Sequence, residues 1–265
     1  MVRGRLGRAP RARAVFRPAR RGRATRWHAA VGASLIALLG TGAVLAPDLA
    51  RGHGDEHRDL PRPTHADFVP PAPGTYALHA IMTAPDGTVL DTAGRRHRLA
   101  AYTTRKITLL TFVYTACSDA WGCPLAYRVF DSVAEAVERS PALRARVRLV
   151  TLSLDPAHDT PAEMRRYAGA QAARGVEWRF LTPGSERALV PLLDGFGQDV
   201  RVQAGADRGR RLGHVLKVFL IDPRGTVREI YTTAYLYPEV VLGDIETLRL
   251  EGERRGRAAG REGSN

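Results

Sequence analysis

Two stretches of the chain are dense in apolar and β-branched side chains, Ile107 to Tyr114 and Arg146 to Ser153. Runs of that length, bounded by polar residues, read as strands buried on both faces. Between them, Pro124 opens an amphipathic segment, Leu125 to about Arg139, that reads as a helix. Downstream, Thr160-Pro161-Ala162-Glu163 is a capping box with proline at the first helical position, and predicts a helix to about Arg174. Trp178 to Leu181 predicts a short strand and Ser185 to Phe196 a further helix. Val89 to Leu99 predicts a hairpin turning at Ala93-Gly94. A second hairpin pairs 215–221 with 227–231 around Asp222-Pro223-Arg224-Gly225, and a helix from Pro238 to Leu250 closes the series. Strands alternating with helices, then a terminal hairpin and helix, imply an α/β fold with a mixed sheet covered on both faces. A thioredoxin-like sandwich satisfies this pattern.

The ends of the chain change the picture. The first 27 residues hold ten arginines and no acid, and residues 29–46 follow without a charge. A basic flank before an apolar run reads as a cytoplasmic N-terminus (1–28) and a signal-anchor or transmembrane helix (29–46). Cleavage of that segment after Ala50 is the other reading. The ten arginines also account for most of the formal net charge of +13, leaving +3 for the rest of the chain. A nucleic-acid-binding arm is therefore not indicated: it would need a cytoplasmic chain, and the apolar run argues for export to the periplasmic side. Residues 47–73, rich in Pro, His, Arg and Asp, read as a flexible linker, with His53, His57 and His65 as solvated side chains rather than ligands. Residues 74–251 form the expected domain, and 252–265 a disordered tail.

Only two cysteines occur, Cys117 and Cys123, with Ser118-Asp119-Ala120-Trp121-Gly122 between them. The pattern sets them between a strand end and a helix start, where the helix dipole and free N–H groups favour thiolate. Such a pair allows a disulfide, a soft-metal site, or both in alternation. A purely structural disulfide over so short a loop would add only about 2 kcal/mol. A peroxidase is disfavoured, because Tyr114 stands three before Cys117 where a peroxide-activating threonine is wanted. No phosphate loop, carboxylate pair or Ser/His/Asp set has convincing spacing.

Four ordered segments are similar to the Sco/SenC family of copper-binding thioredoxin-fold proteins. They are Phe112 to Cys117 with Asp119 and Cys123-Pro124; Ser153 to Pro161; Phe180-Leu181-Thr182; and His214 to Gly225. The resemblance implies a membrane-tethered domain that binds a copper ion through Cys117, Cys123 and His214. It further implies delivery of copper to, or thiol reduction of, the copper site of cytochrome c oxidase or another cuproenzyme. The chain departs from the family at the cysteine loop, which carries five intervening residues rather than three. Trp121-Gly122 is the expected insertion, with Gly122 giving the backbone freedom to close the loop.

The histidine supports the metal reading on chemical grounds. Two thiolates and a neutral imidazole suit copper. His214 precedes an expected central strand, at the place where dithiol oxidoreductases of this fold carry a cis-proline, and Gly213-His214-Val215 has no proline. The alternative is a thiol–disulfide oxidoreductase that keeps a partner's cysteines reduced, with Cys117 and Cys123 as its redox-active pair. His158, on the loop after the second strand, is a lesser candidate ligand. Trp121 reads as a lid or docking surface, Tyr114 as packing, and Asp119 as a loop residue that tunes the thiols or simply caps the turn.

Overall fold

The chain enters its sheet through a minimal edge, β1 (Met82–Thr83), and then the predicted hairpin of β2 (Thr88–Asp91) and β3 (Arg96–Arg98). Gly94 turns that hairpin with φ of 77°, a conformation open to glycine at no steric cost. A short helix α1 (Ala100–Thr103) leads into β4 (Ile107–Val113), the first apolar run. Helix α2 (Cys123–Arg139) and the turn-like α3 (Pro141–Arg144) bring the chain back to β5 (Val147–Ser153), the second run. Every residue of β4 and β5 is buried, as strands covered on both faces require. Next come α4 (Pro161–Ala168) with a 3₁₀ turn at Gly169–Ala173, β6 (Glu177–Pro183), α5 (Glu186–Phe196), and β7 (Val200–Gln203). The chain ends through β8 (Arg211–His214), β9 (Val218–Ile221), β10 (Thr226–Tyr231) and α6 (Pro238–Glu262). The structure, a computed structural model, describes residues 66–203 and 211–262. The expected basic N-terminus, the anchor at 29–46 and the linker before residue 66 lie outside them. Among the described residues no helix is long and apolar enough to cross a membrane.

Eight strands form one mixed sheet in the order β1-β10-β9-β4-β5-β6-β2-β3. β4, β5 and β6 are parallel, and β9 runs antiparallel to β4. Register separates the two faces. Thr111, Thr151 and Phe180 are aligned, as are Phe112, Leu152 and Leu181 one residue on, so Phe112 and Phe180 point to opposite sides. On one side Phe112 meets Phe196 of α5 and Phe219 of β9, with centroids 5.4 and 6.2 Å away. On the other, Trp178 and Phe180 stack and take Tyr127 and Phe130 of α2 and Tyr167 of α4. The expected α/β sandwich is thereby realised, with helices on both faces.

Four boundaries differ from the sequence reading, each for a local reason. Helix α2 begins at Cys123 itself rather than at Leu125, because Ala126 N–H already reaches the Gly122 carbonyl at 3.2 Å. The helix expected to reach Arg174 stops at Ala168, where Gly169 takes φ of 49° and a 3₁₀ turn follows. The strand expected over 215–221 starts only at Val218, and β8 with β7 forms a separate two-stranded ribbon that ends on His214. Helix α6 runs through Glu262, past Leu250 and into the segment expected to be a tail. Arg249 pairs there with Glu246 and Glu253, and Arg255 with Glu251. Ion pairs at that spacing support helix.

Candidate metal centre

The site is assembled at the carboxyl end of β4. Beyond Val113 the chain turns, with Cys117 N–H donating to the Tyr114 carbonyl at 3.1 Å. Thr115 is fixed from outside the loop by Asp159, a carboxylate only 1 % exposed. Asp159 accepts from the Thr115 N–H at 3.2 Å and from the hydroxyls of Thr115 and Ser153, both at 2.6 Å. Those donors hold the carboxylate charged while burial presses its pKa up, and burial prevails. Asp159 was not assigned a role from the sequence, although it lies in the Ser153–Pro161 segment just before the capping box.

A tight turn then folds the loop back. Asp119 takes the Trp121 N–H on its side chain at 3.0 Å and the Gly122 N–H on its carbonyl at 2.9 Å. Asp119 is therefore the residue that shapes the loop. A side chain on Gly122 would begin 3.4 Å from the Cys117 sulfur and 3.3 Å from the Asp119 carbonyl. Gly122, at φ of −95° and ψ of −123°, leaves room there by its absent bulk. Trp121 projects outward, 71 % exposed.

The two thiols are not bonded to each other and are unequal, Cys117 half-buried and Cys123 buried in the first turn of α2. Cys117 is drawn down to about 4, first by the Cys123 thiol that donates to it, then by the His214 ring and the N–H groups of Cys123 and Asp119, all against its partial burial. Burial, and the negative charge settled on Cys117, push Cys123 well above the ordinary thiol range. The pair is thus one thiolate and one thiol. Tyr114 is raised too, by burial and by the Cys117 charge to which its hydroxyl bonds. Tyr114 is a direct neighbour of the reactive sulfur as well as a packing residue.

The third predicted side chain arrives from the far ribbon. His214 ends β8 and sets Nε2 3.8 Å from the Cys123 sulfur, with its ring edge-on to Tyr114 at 6.1 Å between centroids. A thiolate ~2.3 Å and an imidazole ~2.0 Å from one ion in a trigonal arrangement would stand about 3.7 Å apart. The sulfur–nitrogen spacing therefore already matches a shared ion. The His214 Nδ1 lies 3.3 Å from the Val215 carbonyl. A carbonyl can only accept, so Nδ1 carries a proton, and Nε2 is the nitrogen turned toward the sulfurs. Among the described residues no group of three or more His, Cys, Asp or Glu side chains is placed to hold a metal ion as it stands. His158 stays apart, its Nδ1 taken by Asp155 at 2.9 Å.

The family model described as SCO1/SenC matches residues 82–249. No curated protein matches the chain. Among solved structures, the apo Sco1 protein of Thermus thermophilus is 23 % identical, aligns over 66 % of this chain and 95 % of its own, and has a TM-score of 0.53. A SCO1/SenC family lipoprotein of Bacillus anthracis is 20 % identical over 63 % and 95 %, with a TM-score of 0.51. The ScoI protein of Arabidopsis thaliana, solved with copper bound, is 18 % identical over 66 % and 99 %, with a TM-score of 0.50. At these identities the solved structures speak for the fold. The family model extends over most of the chain, and with the cysteine loop and histidine ribbon in place, this chain belongs to the SCO1/SenC family.

Proposed function

We propose that this chain binds copper through Cys117, Cys123 and His214 and passes it by ligand exchange to a cuproenzyme, foremost the copper site of cytochrome c oxidase. The observation that carries the reading is the 3.8 Å approach of the His214 Nε2 to the Cys123 sulfur, beside Cys117 on the same loop. Soft thiolates favour Cu(I), and an imidazole with a free Nε2 completes a low-coordinate set. Cys117 needs no deprotonation to bind, whereas Cys123 gives up its proton to the solvent as the ion enters. Membership of the family and the copper-bound Arabidopsis relative support copper as the cargo. The basic N-terminus and apolar run support a domain anchored on the periplasmic face of the membrane. In this role the protein is a chaperone without turnover of its own.

The inequality of the thiols favours a second reading, a dithiol reductase. The Cys117 thiolate would attack a partner disulfide and release one partner thiolate. Cys123 would then pass its proton to that thiolate and attack Cys117, freeing the second partner sulfur as thiolate and leaving the Cys117–Cys123 disulfide. Anaerobic titration of the reduced full chain with Cu(I) against a competing chelator separates the two. The chaperone reading expects one copper per chain, affinity lowered about 10- to 100-fold in His214→Ala, and none in Cys117→Ser. Copper binding indifferent to His214, with fast exchange against a dithiol substrate, would put the reductase in its place.

A further inference from the structure

The ribbon that carries His214 is fastened by a side chain outside the ligand set. Gln198 lies just after α5, 4 % exposed, and its Nε2 lies 3.0 Å from the Val215 carbonyl and 3.3 Å from the Asp199 carbonyl. Both its N–H groups are used, and a flipped amide would set oxygen against two carbonyl oxygens, so the orientation is fixed. Its Oε1 is buried with no hydrogen-bond partner among the described residues. A buried residue kept only for packing would fill this place better without an idle acceptor. The amide is present for its donors. The Val215 carbonyl that receives Gln198 is the same oxygen that stands 3.3 Å from the His214 Nδ1. Around it, Gln198 N–H holds the Leu193 carbonyl at 2.8 Å and the Lys217 carbonyl accepts from Thr111 at 3.1 Å.

We propose that Gln198 is a positioning residue for His214: by pinning the Val215 carbonyl it keeps the imidazole protonated on Nδ1 and turned with Nε2 toward the cysteines. Groups that orient a metal-binding histidine through its second nitrogen are ordinarily a carboxylate or a carbonyl, and their loss lowers metal affinity about 10- to 100-fold. Here the carbonyl is supplied by the neighbouring peptide, and the glutamine keeps that peptide from rotating. The inference rests on the copper reading for its consequence but not for its geometry.

The test uses the reduced, metal-free full chain in detergent, labelled with ¹⁵N-histidine, and Gln198→Met, which keeps the length and loses the donors. The wild type is expected to show His214 as the Nδ1–H tautomer at neutral pH. The variant is expected to mix tautomers and to bind Cu(I) about tenfold or more weakly, with an unchanged far-ultraviolet circular dichroism spectrum. An unchanged tautomer in the folded variant, or a wild-type ring with its proton on Nε2, overturns the inference. Should Gln198→Met fail to fold, the wild type decides alone. Slow hydrogen exchange at the Gln198 amide upholds the pin, and exchange at the free-amide rate overturns it. A wild type that binds no copper while Gln198→Met still shifts the tautomer would sink the copper reading and leave this one standing.

Discussion

Gly122 and Cys117 illustrate how much of this site is decided atom by atom. An added methyl at Gly122 would sit 3.4 Å from one sulfur and 3.3 Å from a backbone oxygen that is itself held in the turn. Gly122→Ala is therefore expected to spread the cysteine loop and cost about 1 kcal/mol by thermal melting, with slower closure of the Cys117–Cys123 disulfide under a mild oxidant. For Cys117, with a pKa of about 4, alkylation by iodoacetamide should proceed at a nearly constant rate from pH 6 to 9. A profile rising with an inflection near that of a free thiol, ~8.5, would contradict the assignment. The same shift sets a slope in stability. The folded state holds fewer protons than the unfolded state between those two values, so stability rises with pH across that window and falls on acidification toward 4. Cys123, shifted upward, works in the opposite sense only above about 8.5, where the unfolded thiol ionises. Urea titrations of wild type and Cys117→Ser at pH 5 and 8 should differ in this slope, with the variant flatter.

Elements were legible where pattern and caps agreed. β4 and β5 announced themselves as uninterrupted apolar runs, and the Thr160 capping box placed the start of α4, where the Thr160 side chain does accept the Glu163 N–H. The β7–β8 ribbon was not read, because four-residue strands with exposed members such as Val202 carry too short an alternation to stand out from loop. Val215, 59 % exposed, was taken into the following strand because its side chain is β-branched. Composition alone made 252–265 read as a tail, and the i,i+4 ion pairs that carry α6 past Leu250 went unread. Glu251 pairs with the buried Arg228 at 3.0 Å, and Arg228 also holds Asp222 and the carbonyls of Leu78 and His79. Removing Arg228 leaves a carboxylate 1 % exposed with only the exposed Arg224, 3.5 Å away, as its cation. Arg228→Ala should cost about 3–5 kcal/mol in urea unfolding, more than any exposed α6 ion pair, each worth ~0.5 kcal/mol.

At the scale of the whole molecule, the sheet is held by two separate aromatic groups, one per face. Phe112, at 1 % exposure, anchors the α5 side, and Phe112→Ala should cost about 3–5 kcal/mol by chemical denaturation. The proposed ligands stood out in the sequence because their residue types are chemically scarce: two cysteines in the chain, and a histidine beside an expected central strand. Its supports, Asp159 and Gln198, were not, since aspartate and glutamine are common and their value lies in burial that only folding supplies. One further property follows from how the polypeptide enters. Ala66 N–H is held by Glu239 at the start of α6, and the segment then runs along that helix to Gly74 on Thr247. β10 lies parallel to β4 through β9 between them, so α6 begins at the rim where the thiols sit. The described domain is thus entered at the same rim as the thiols; on the proposed anchoring, the residues before Ala66 would set how far the cysteines reach from the bilayer.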